Sequence, residues 1–101
     1  MVKQVIWTET AKQSRRLVLE YWIQHNKSNT YSKRLSILFR EKIKLLQSQN
    51  YIGKPTDFKD VRATLVEHFT IFYKSSSTQI IIVGIWDNRR NPEGILKNLE
   101  L

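Results

Sequence analysis

The chain has 101 residues, enough for one domain, and its 17 Lys and Arg against 9 Asp and Glu give a formal net charge of +8. No apolar run is long enough to cross a bilayer, and the lack of cysteine excludes disulfides and thiolate chemistry. These two absences lead us to expect a cytoplasmic protein. The positive charge leads us to expect a polyanionic partner, which could be a nucleic acid, a membrane surface or an acidic protein.

The N-terminal half predicts a short strand and two helices. Residues 3–7 alternate weakly between polar and apolar side chains, as in a strand. Thr8 is a suitable N-cap for a first helix that ends near Asn26, and a second helix should cover residues 30–47. The short connection predicts an antiparallel helical hairpin. The apolar face of the first helix is expected to contain Ala11, Leu17, Val18, Tyr21, Trp22 and His25.

The C-terminal half predicts a loop and then three strands. Gly53 and Pro55 mark residues 50–60 as the loop. The strands are expected at residues 61–67, 69–75 and 78–86. Because only short turns separate them, they should pair antiparallel. The last strand contains a nearly continuous apolar run, which is typical of a strand buried on both faces.

The element order is therefore β-α-α-β-β-β. It predicts an α+β fold in which an antiparallel sheet carries the N-terminal helical hairpin on one face. Residues 1–101 are expected to form a single domain, with residues 88–101 as a polar C-terminal tail. The sequence contains no internal repeat and no linker that would suggest a second domain.

Metal and cofactor chemistry have little support in the sequence. His25 and His68 are far apart, and no cysteine or paired carboxylates have the spacing of metal ligands. There is no glycine-rich phosphate loop and no nucleophile elbow. We therefore expect no metal site and no cofactor.

Cations on and around the last three strands are the candidate binding groups. If Ala63 and Leu65 face the helices, Arg62 and Thr64 should face the open side of the sheet. Guanidinium groups bind phosphates bidentately and stay charged. The predicted phosphate-binding or nucleic-acid-binding residues are Lys54, Arg62, Arg89 and Arg90. The alternative is a solvated or ion-paired surface, for example Asp87 with Arg62.

Two further features suggest chemistry or a partner. His68, at a turn beside Glu67, could act as a general acid or base, or be an exposed turn residue. Leu19 and Ile23 lie off the apolar face of the first helix, one turn apart, and Ile37 lies off the face of the second. These three apolar side chains either form part of a partner-binding groove or are ordinary exposed residues.

Four stretches resemble the RelE/ParE superfamily, the toxins of type II toxin-antitoxin modules. They are Ile-Gly-Lys-Pro at residues 52–55, Asp-Val-Arg at 60–62, Phe-Thr-Ile-Phe-Tyr at 69–73 and Ile-Trp-Asp-Asn-Arg-Arg-Asn-Pro at 85–92. The last is similar to the Trp-Asp-x-Arg-x-x-Pro ending of many members. The resemblance covers residues 5–92 and includes the element order.

The resemblance implies a small basic toxin that a cognate acidic antitoxin neutralises, in a possible toxin-antitoxin hetero-oligomer with no membrane partner. RelE-like members cut mRNA in the ribosome, and ParE-like members are similar to inhibitors of DNA gyrase. This chain departs from the nucleolytic pattern. Thr70 stands where nucleolytic relatives often carry Arg, and residues 88–91 lack the Tyr or His that often follows the last strand.

The sequence therefore predicts a plasmid-stabilising, growth-inhibiting toxin that acts by ParE-like inhibition of gyrase. The alternatives are a RelE-like, metal-independent endoribonuclease and a non-enzymatic nucleic-acid-binding module. If the chain is an enzyme, the expected catalytic residues are Arg62, Arg89 and His68, although an arginine is a poor general base because it stays protonated. The expected antitoxin-binding residues are Leu19, Ile23 and Ile37.

Overall fold

A computed structural model of the chain describes residues 2–89, which form two helices and five strands. In chain order the elements are β1 (Gln4–Trp7), α1 (Glu9–Asn26), α2 (Thr30–Ser48), β2 (Lys54–Pro55), β3 (Arg62–Val66), β4 (Phe69–Ser75) and β5 (Gln79–Asp87). The predicted α+β class and hairpin-on-sheet layering are confirmed. The predicted tail from residue 90 onward lies outside the described residues.

The five strands form one sheet in the order β1-β5-β4-β3-β2. The meander β3-β4-β5 is antiparallel, as expected, and the predicted loop contains the two-residue strand β2 on the edge of β3. The sheet is mixed rather than wholly antiparallel, because β1 pairs parallel with β5. A parallel pair needs a long crossover, and the helical hairpin together with the meander provides it.

The helical hairpin covers one face of the sheet and encloses the main core. Buried apolar side chains of α1, α2 and the three central strands meet there. They are Ala11, Leu35, Phe39, Ile43, Leu46, Val66, Phe69, Ile71, Tyr73, Ile80, Ile82 and Ile85. A smaller cluster of Val61, Phe72, Val83 and Trp86 lies apart from this core. The long apolar run of β5 thus supplies both clusters, as its composition predicts.

An irregularity in β5 changes which of its residues face the helices. Tyr73 of β4 pairs with Ile82, whereas its neighbour Phe72 pairs with Gly84, so Val83 is the extra residue of a bulge. The bulge shifts the two-residue period by one position. Ile82 and Ile85 consequently both join the core beneath the helices, although they are three positions apart, an odd spacing that would put them on opposite faces of a regular strand.

The N-terminus of α1 is tied directly to β5. The Thr8 hydroxyl accepts a hydrogen bond from the Ala11 amide at 3.1 Å, as predicted for the N-cap, and donates to the Ile82 carbonyl at 3.2 Å. At the other end, Lys27 takes a left-handed conformation that closes the helix. Neither helix within residues 2–89 is both long and apolar enough to cross a membrane.

Candidate functional site

The structure does not bring all three predicted catalytic residues together, because Arg62 lies away from His68 and Arg89. Arg62 pairs across the sheet with Tyr73, at one end of β4, whereas Asp87, two residues before Arg89, pairs with Phe69 at the other. These two residues of β4 are four positions apart, which corresponds to about 13 Å at roughly 3.3 Å per residue. Arg62 and Arg89 therefore belong to two separate sites.

The predicted orientation of Arg62 is wrong. Residues directly opposite each other on neighbouring strands share a face of the sheet, and the partner of Arg62 is Tyr73, which lies in the helix-facing core. Ala63 instead packs with the smaller cluster, and Leu65 is largely exposed. The alternation of β3 is thus opposite to the expected one, because Thr64 and Val66 are its buried positions.

Arg62 belongs to a compact structural unit, which we call the Tyr73 anchor and define as Asn50, Gly53, Arg62 and Tyr73. The Tyr73 hydroxyl donates to the Asn50 carbonyl at 2.9 Å and accepts from the Gly53 amide at 3.0 Å. Arg62 Nη1 donates to the Gly53 carbonyl at 2.7 Å. The Arg62 guanidinium also lies 4.8 Å from the centre of the Tyr51 ring. This anchor fixes the segment that leads from α2 to β2.

Burial has the largest effect on the pKa of Tyr73 in this anchor. It raises the pKa of the Tyr73 hydroxyl, while the hydrogen bond from Gly53 and the charge of Arg62 lower it by smaller amounts. Because the pKa rises from an ordinary value of 10.0, the hydroxyl is neutral at physiological pH and both donates and accepts hydrogen bonds. The Tyr73 ring itself packs in the main core and is fully buried.

Arg89 belongs to a second unit at the opposite end, the Arg89 clasp, which we define as Trp22, Phe69, Asp87 and Arg89. Arg89 Nε and Nη2 donate to the two oxygens of Asp87, each at 2.9 Å, and the Arg89 amide donates to Asp87 Oδ1. The guanidinium lies 4.5 Å from the centre of the Trp22 ring and 5.7 Å from that of Phe69. The hydrogen bond with Asp87 raises the pKa of Arg89.

His68 and Thr70 lie at the same end as the clasp. The carbonyl of His68 accepts a hydrogen bond from the Asn88 amide at 2.9 Å, and its side chain is exposed. The Thr70 hydroxyl donates to Asn88 Oδ1 at 2.7 Å. This hydrogen bond holds the residue that follows β5 against β4. The neighbouring Glu67 pairs with Arg34 of α2 at 2.9 Å.

The predicted phosphate-binding cations are equally dispersed. Lys54 is exposed on β2 and pairs with Ala63, whereas Arg62 pairs with Pro55. Lys54 therefore points to the face opposite Arg62. Arg90 lies outside the described residues. Among residues 2–89, no group of three or more His, Asp or Glu side chains could hold a metal ion.

A groove lies between α1 and the C-terminal end of β5, with a cavity volume of about 770 Å³. We call it the α1 groove. Leu17, Tyr21, Trp22 and His25 form its helical wall, and Arg89 is among the residues of the other wall. The rings of Trp22 and His25 meet edge to face at 5.1 Å, while Tyr21 stacks on His25 at 5.6 Å. The wall is thus a continuous aromatic surface.

The α1 groove corrects the expected orientation of α1. Leu17 and Tyr21, predicted in the core, are 53% and 55% exposed. Leu19, predicted to be exposed, packs partly buried against the core, and its carbonyl accepts a hydrogen bond from Ser32 of α2. The buried face of α1 contains Ala11, Val18 and Trp22. Leu19 lies on the side of this face that is next to α2, and Leu17 lies on the side that is next to β5. In the sequence, this wall is indicated by the aromatic residues at positions 21, 22 and 25.

Comparison with known proteins identifies the family. The model of the family described as ParE toxin of type II toxin-antitoxin system, parDE, matches residues 5–92. The fold is similar to a structure of the chromosomal ParDE system from P. aeruginosa, with a TM-score of 0.71, 18% identity and coverage of 83% of this chain and 94% of that one.

A structure of the RelBE2 toxin-antitoxin complex from Mycobacterium tuberculosis is also similar in fold. Its TM-score is 0.53 at 12% identity, with coverage of 84% of this chain and 96% of that one. No curated protein sequence matches the chain. The matched residues include both the Tyr73 anchor and the Arg89 clasp. Residues of these two units lie in the four stretches on which the resemblance to the RelE/ParE superfamily rests. The chain therefore belongs to the ParE toxin family of type II toxin-antitoxin systems.

Proposed function

We propose that this toxin arrests growth by inhibiting DNA gyrase and does not cleave mRNA itself. The observation that supports this function is that Arg62 and Arg89 belong to opposite ends of β4. The β4 positions that pair with Arg62 and with Asp87, two residues before Arg89, lie about 13 Å apart at roughly 3.3 Å per residue. Phosphoryl transfer from an RNA 2′-hydroxyl needs a proton acceptor, a proton donor and phosphate-binding cations within reach of one phosphate. The guanidinium groups of the two arginines are held by different partners at the two ends of β4 and do not converge on one phosphate position.

Both guanidinium groups also have structural partners. Arg62 is bonded to the Gly53 carbonyl, and Arg89 is bonded bidentately to Asp87. A substrate phosphate would have to displace these contacts. Thr70, at the position where nucleolytic relatives carry Arg, is bonded to Asn88. These contacts favour a toxin that acts by binding a protein target, and gyrase would place its action in the cytoplasm.

Two parallel assays of the purified chain test this function. We expect inhibition of supercoiling of relaxed plasmid DNA by gyrase, with ribosome-bound mRNA left intact. Arg62→Ala and Arg89→Ala serve as variants in both assays. Site-specific cleavage of ribosome-bound mRNA by the wild-type chain, lost in both variants, would instead establish the RelE-like endoribonuclease.

We also propose that a cognate acidic antitoxin neutralises the toxin by placing an apolar helical segment in the α1 groove. Leu17 and Tyr21 offer apolar surface that the rest of the described chain leaves exposed. Amphipathic helices bind such grooves through side chains one turn apart. Ile23 and Ile37 are 37% and 49% exposed but do not line this groove, so a contact with them would be separate from it. Leu19 would contribute only by supporting the hairpin.

The antitoxin proposal is tested with the product of the acidic reading frame expected beside the gene. Leu17→Asp should weaken its binding at least about tenfold, because a carboxylate would be desolvated in the groove. Gln13→Asp adds the same charge to an exposed position of α1 outside the groove and should have little effect. Equal affinities of the two variants would rule out the α1 groove as the antitoxin site.

A further inference from the structure

Three exposed apolar side chains near the C-terminal end of α2 belong to neither hydrophobic cluster. They are Leu45, Tyr51 and Ile52, and we call them the Tyr51 patch. Tyr51 is 69% exposed, and Leu45 and Ile52 are each 39% exposed. None of the three lines the α1 groove. The packing of the described chain and the proposed antitoxin site therefore leave these side chains without a role.

The Tyr73 anchor holds the backbone on both sides of Tyr51 and Ile52. The Asn50 carbonyl accepts a hydrogen bond from the Tyr73 hydroxyl at 2.9 Å, and the Gly53 amide donates to the same hydroxyl oxygen at 3.0 Å. Asn50 Nδ2 also donates to a carbonyl near the end of α2 at 2.8 Å. Tyr51 and Ile52 are thus the two residues between two fixed points, and their exposed side chains are held in place by buried groups.

The Tyr51 ring is covered on one face only. The Arg62 guanidinium lies 4.8 Å from the ring centre and is itself bonded to the Gly53 carbonyl at 2.7 Å. The 69% exposure of Tyr51 therefore belongs mostly to the rest of the ring. A pre-positioned aromatic ring loses little conformational entropy when a partner binds it. Exposed tyrosines of this kind are typical centres of protein interfaces.

Leu45 joins this surface from α2. Residues on one side of the helix follow at intervals of three or four positions, and they are Arg34, Leu38, Lys42 and Leu45. Arg34 Nη2 donates to Glu67 Oε1 at 2.9 Å, so this side of α2 lies next to β3. Leu45 is its last apolar residue, and it lies at the end of α2 from which the chain continues to Tyr51.

The lysines that border the patch are not neutralised by ion pairs. Lys42 comes three residues before Leu45 on the same side of α2, and Lys54 is exposed on β2, two residues after Ile52. Among residues 2–89, neither lysine has an acidic side chain within ion-pair distance. A partner surface with carboxylates around an apolar centre would therefore complement this one in charge.

A protein complements this surface better than a nucleic acid does. A base could stack on the free face of the Tyr51 ring. The aliphatic side chains of Leu45 and Ile52, however, offer no polar group to a base edge or a phosphate. An aromatic ring with aliphatic neighbours and a charged border instead matches the apolar core and polar rim of a protein interface.

We propose that the Tyr51 patch is the surface through which the toxin binds its protein target. The complementary site on the target is an apolar pocket that accepts the Tyr51 ring and has carboxylates at its border. This inference rests on the proposed function, in which the target is gyrase, and it adds the residues that make the contact. The antitoxin binds elsewhere, in the α1 groove.

Gyrase supercoiling assays with the purified chain test the patch. Tyr51→Ala should raise the concentration needed for half-inhibition at least about tenfold, whereas Tyr51→Phe, which keeps the ring, should stay within about threefold of the wild-type value. Leu65→Ala is the matched control, because Leu65 is 64% exposed on β3 and lies outside the patch. It should change inhibition by less than about twofold. Thermal unfolding of each variant shows that the fold is retained.

Charge reversal tests the acidic border of the target pocket. Lys42→Glu with Lys54→Glu should weaken inhibition at least about fivefold. Lys27→Glu with Lys33→Glu makes the same change in net charge on exposed residues outside the patch and should have less than about a twofold effect. Equal losses in the two double variants would overturn the proposal, since they would indicate only a general charge effect.

Failure of the proposed function gives a different result from failure of the patch. Inhibition by Tyr51→Ala at the wild-type level would overturn the patch and leave gyrase as the target. If the wild-type chain does not inhibit gyrase, the proposed function fails, and growth arrest on induced expression decides whether the patch binds another protein target. Tyr51→Ala should then lose growth arrest while Tyr51→Phe keeps it, and equal growth arrest by the two variants would overturn the proposal.

Binding assays exclude the other occupants of the patch. The affinity of Tyr51→Ala for the antitoxin should equal that of the wild-type chain, and so should its affinity for a duplex DNA probe. A loss of antitoxin affinity without a loss of gyrase inhibition would overturn the proposal. DNA binding by the wild-type chain that Tyr51→Ala abolishes would also overturn it, because a nucleic acid would then be the occupant.

Discussion

Gly53 lies so close to Tyr73 that only a residue without a side chain fits there. The Gly53 amide donates to the Tyr73 hydroxyl at 3.0 Å, and a Cβ atom at position 53 would lie 2.6 Å from that oxygen and 2.8 Å from the Ala63 carbonyl oxygen. Both residues belong to stretches that carry the family resemblance. At least part of the family resemblance therefore reflects residues that stabilise the fold.

Gly53→Ala should destabilise the fold by about 1–3 kcal/mol, since the added methyl group must displace the Tyr73 ring or the backbone of β3. Urea unfolding followed by circular dichroism measures this loss. Ser77→Ala, at an exposed turn, is the control and should change stability by less than about 0.5 kcal/mol. A stability of Gly53→Ala equal to that of the control would contradict the close approach.

Tyr73→Phe should cost about 1–3 kcal/mol at neutral pH, because the buried Gly53 amide loses its acceptor. The loss should depend on pH. Burial raises the folded-state pKa of Tyr73 above its unfolded value of about 10. The stabilisation by the neutral hydroxyl is therefore complete below pH 10 and is lost as the pH rises through the folded-state pKa.

The measurement for this pH effect is the difference in unfolding free energy between the wild-type chain and Tyr73→Phe from pH 7 to pH 11. This difference should shrink above pH 10, because only the wild-type chain has the Tyr73 proton to lose. A constant difference over the whole range would show that Tyr73 titrates alike in the folded and unfolded states.

Arg62→Ala should reduce stability by about 1–2 kcal/mol, because it removes a charged hydrogen bond to the Gly53 carbonyl and the contact with the Tyr51 ring. Lys54→Ala, at an exposed position nearby, should be nearly neutral. Growth arrest by Arg62→Ala should persist at low temperature, where the variant stays folded. Lost activity with an unchanged unfolding midpoint would indicate a direct role of Arg62 in the toxic reaction.

Arg89→Ala should open the end of the α1 groove and reduce stability by about 1–2 kcal/mol. The Trp22 ring would lose the guanidinium that covers it, so the NMR resonance of its indole N–H should shift. Arg40→Ala removes a cation of the hairpin that has no ion pair with the described residues, and it should leave that resonance in place. An unshifted resonance in Arg89→Ala would argue against the clasp in solution.

The sequence predicted the local elements well because their signals are local. The Thr8 cap, the helical hairpin and the apolar run of β5 follow from neighbouring residues, and the structure contains all three. The faces were harder to predict. β3 offers both an Ala-Leu and a Thr-Val alternation, and the packing against β4 selected the second.

The candidate site was predicted only as a set of residue types. The predicted strands placed Arg62 within a strand, His68 at a turn and Arg89 after the last strand, and the structure agrees. How these residues group depends on register. Register fixes Arg62 opposite Tyr73 and Phe69 opposite Asp87, and thereby separates the two arginines. The orientation of α1, which exposes Leu17 and buries part of Leu19, likewise depends on contacts with α2 and β5.

By itself, the amino-acid sequence determined the α+β class, the basic charge and the family, because hydrophobic periodicity, caps and short motifs are properties of neighbouring residues. Only the tertiary structure decided that β1 runs parallel to β5 and that the family motifs form an anchor and a clasp. It alone also decided that a groove lies between α1 and the C-terminal end of β5. These features depend on contacts between residues far apart in the sequence, such as Gly53 with Tyr73, Trp22 with Arg89 and Gln4 with Gln79, and such contacts depend on the packing of the whole chain.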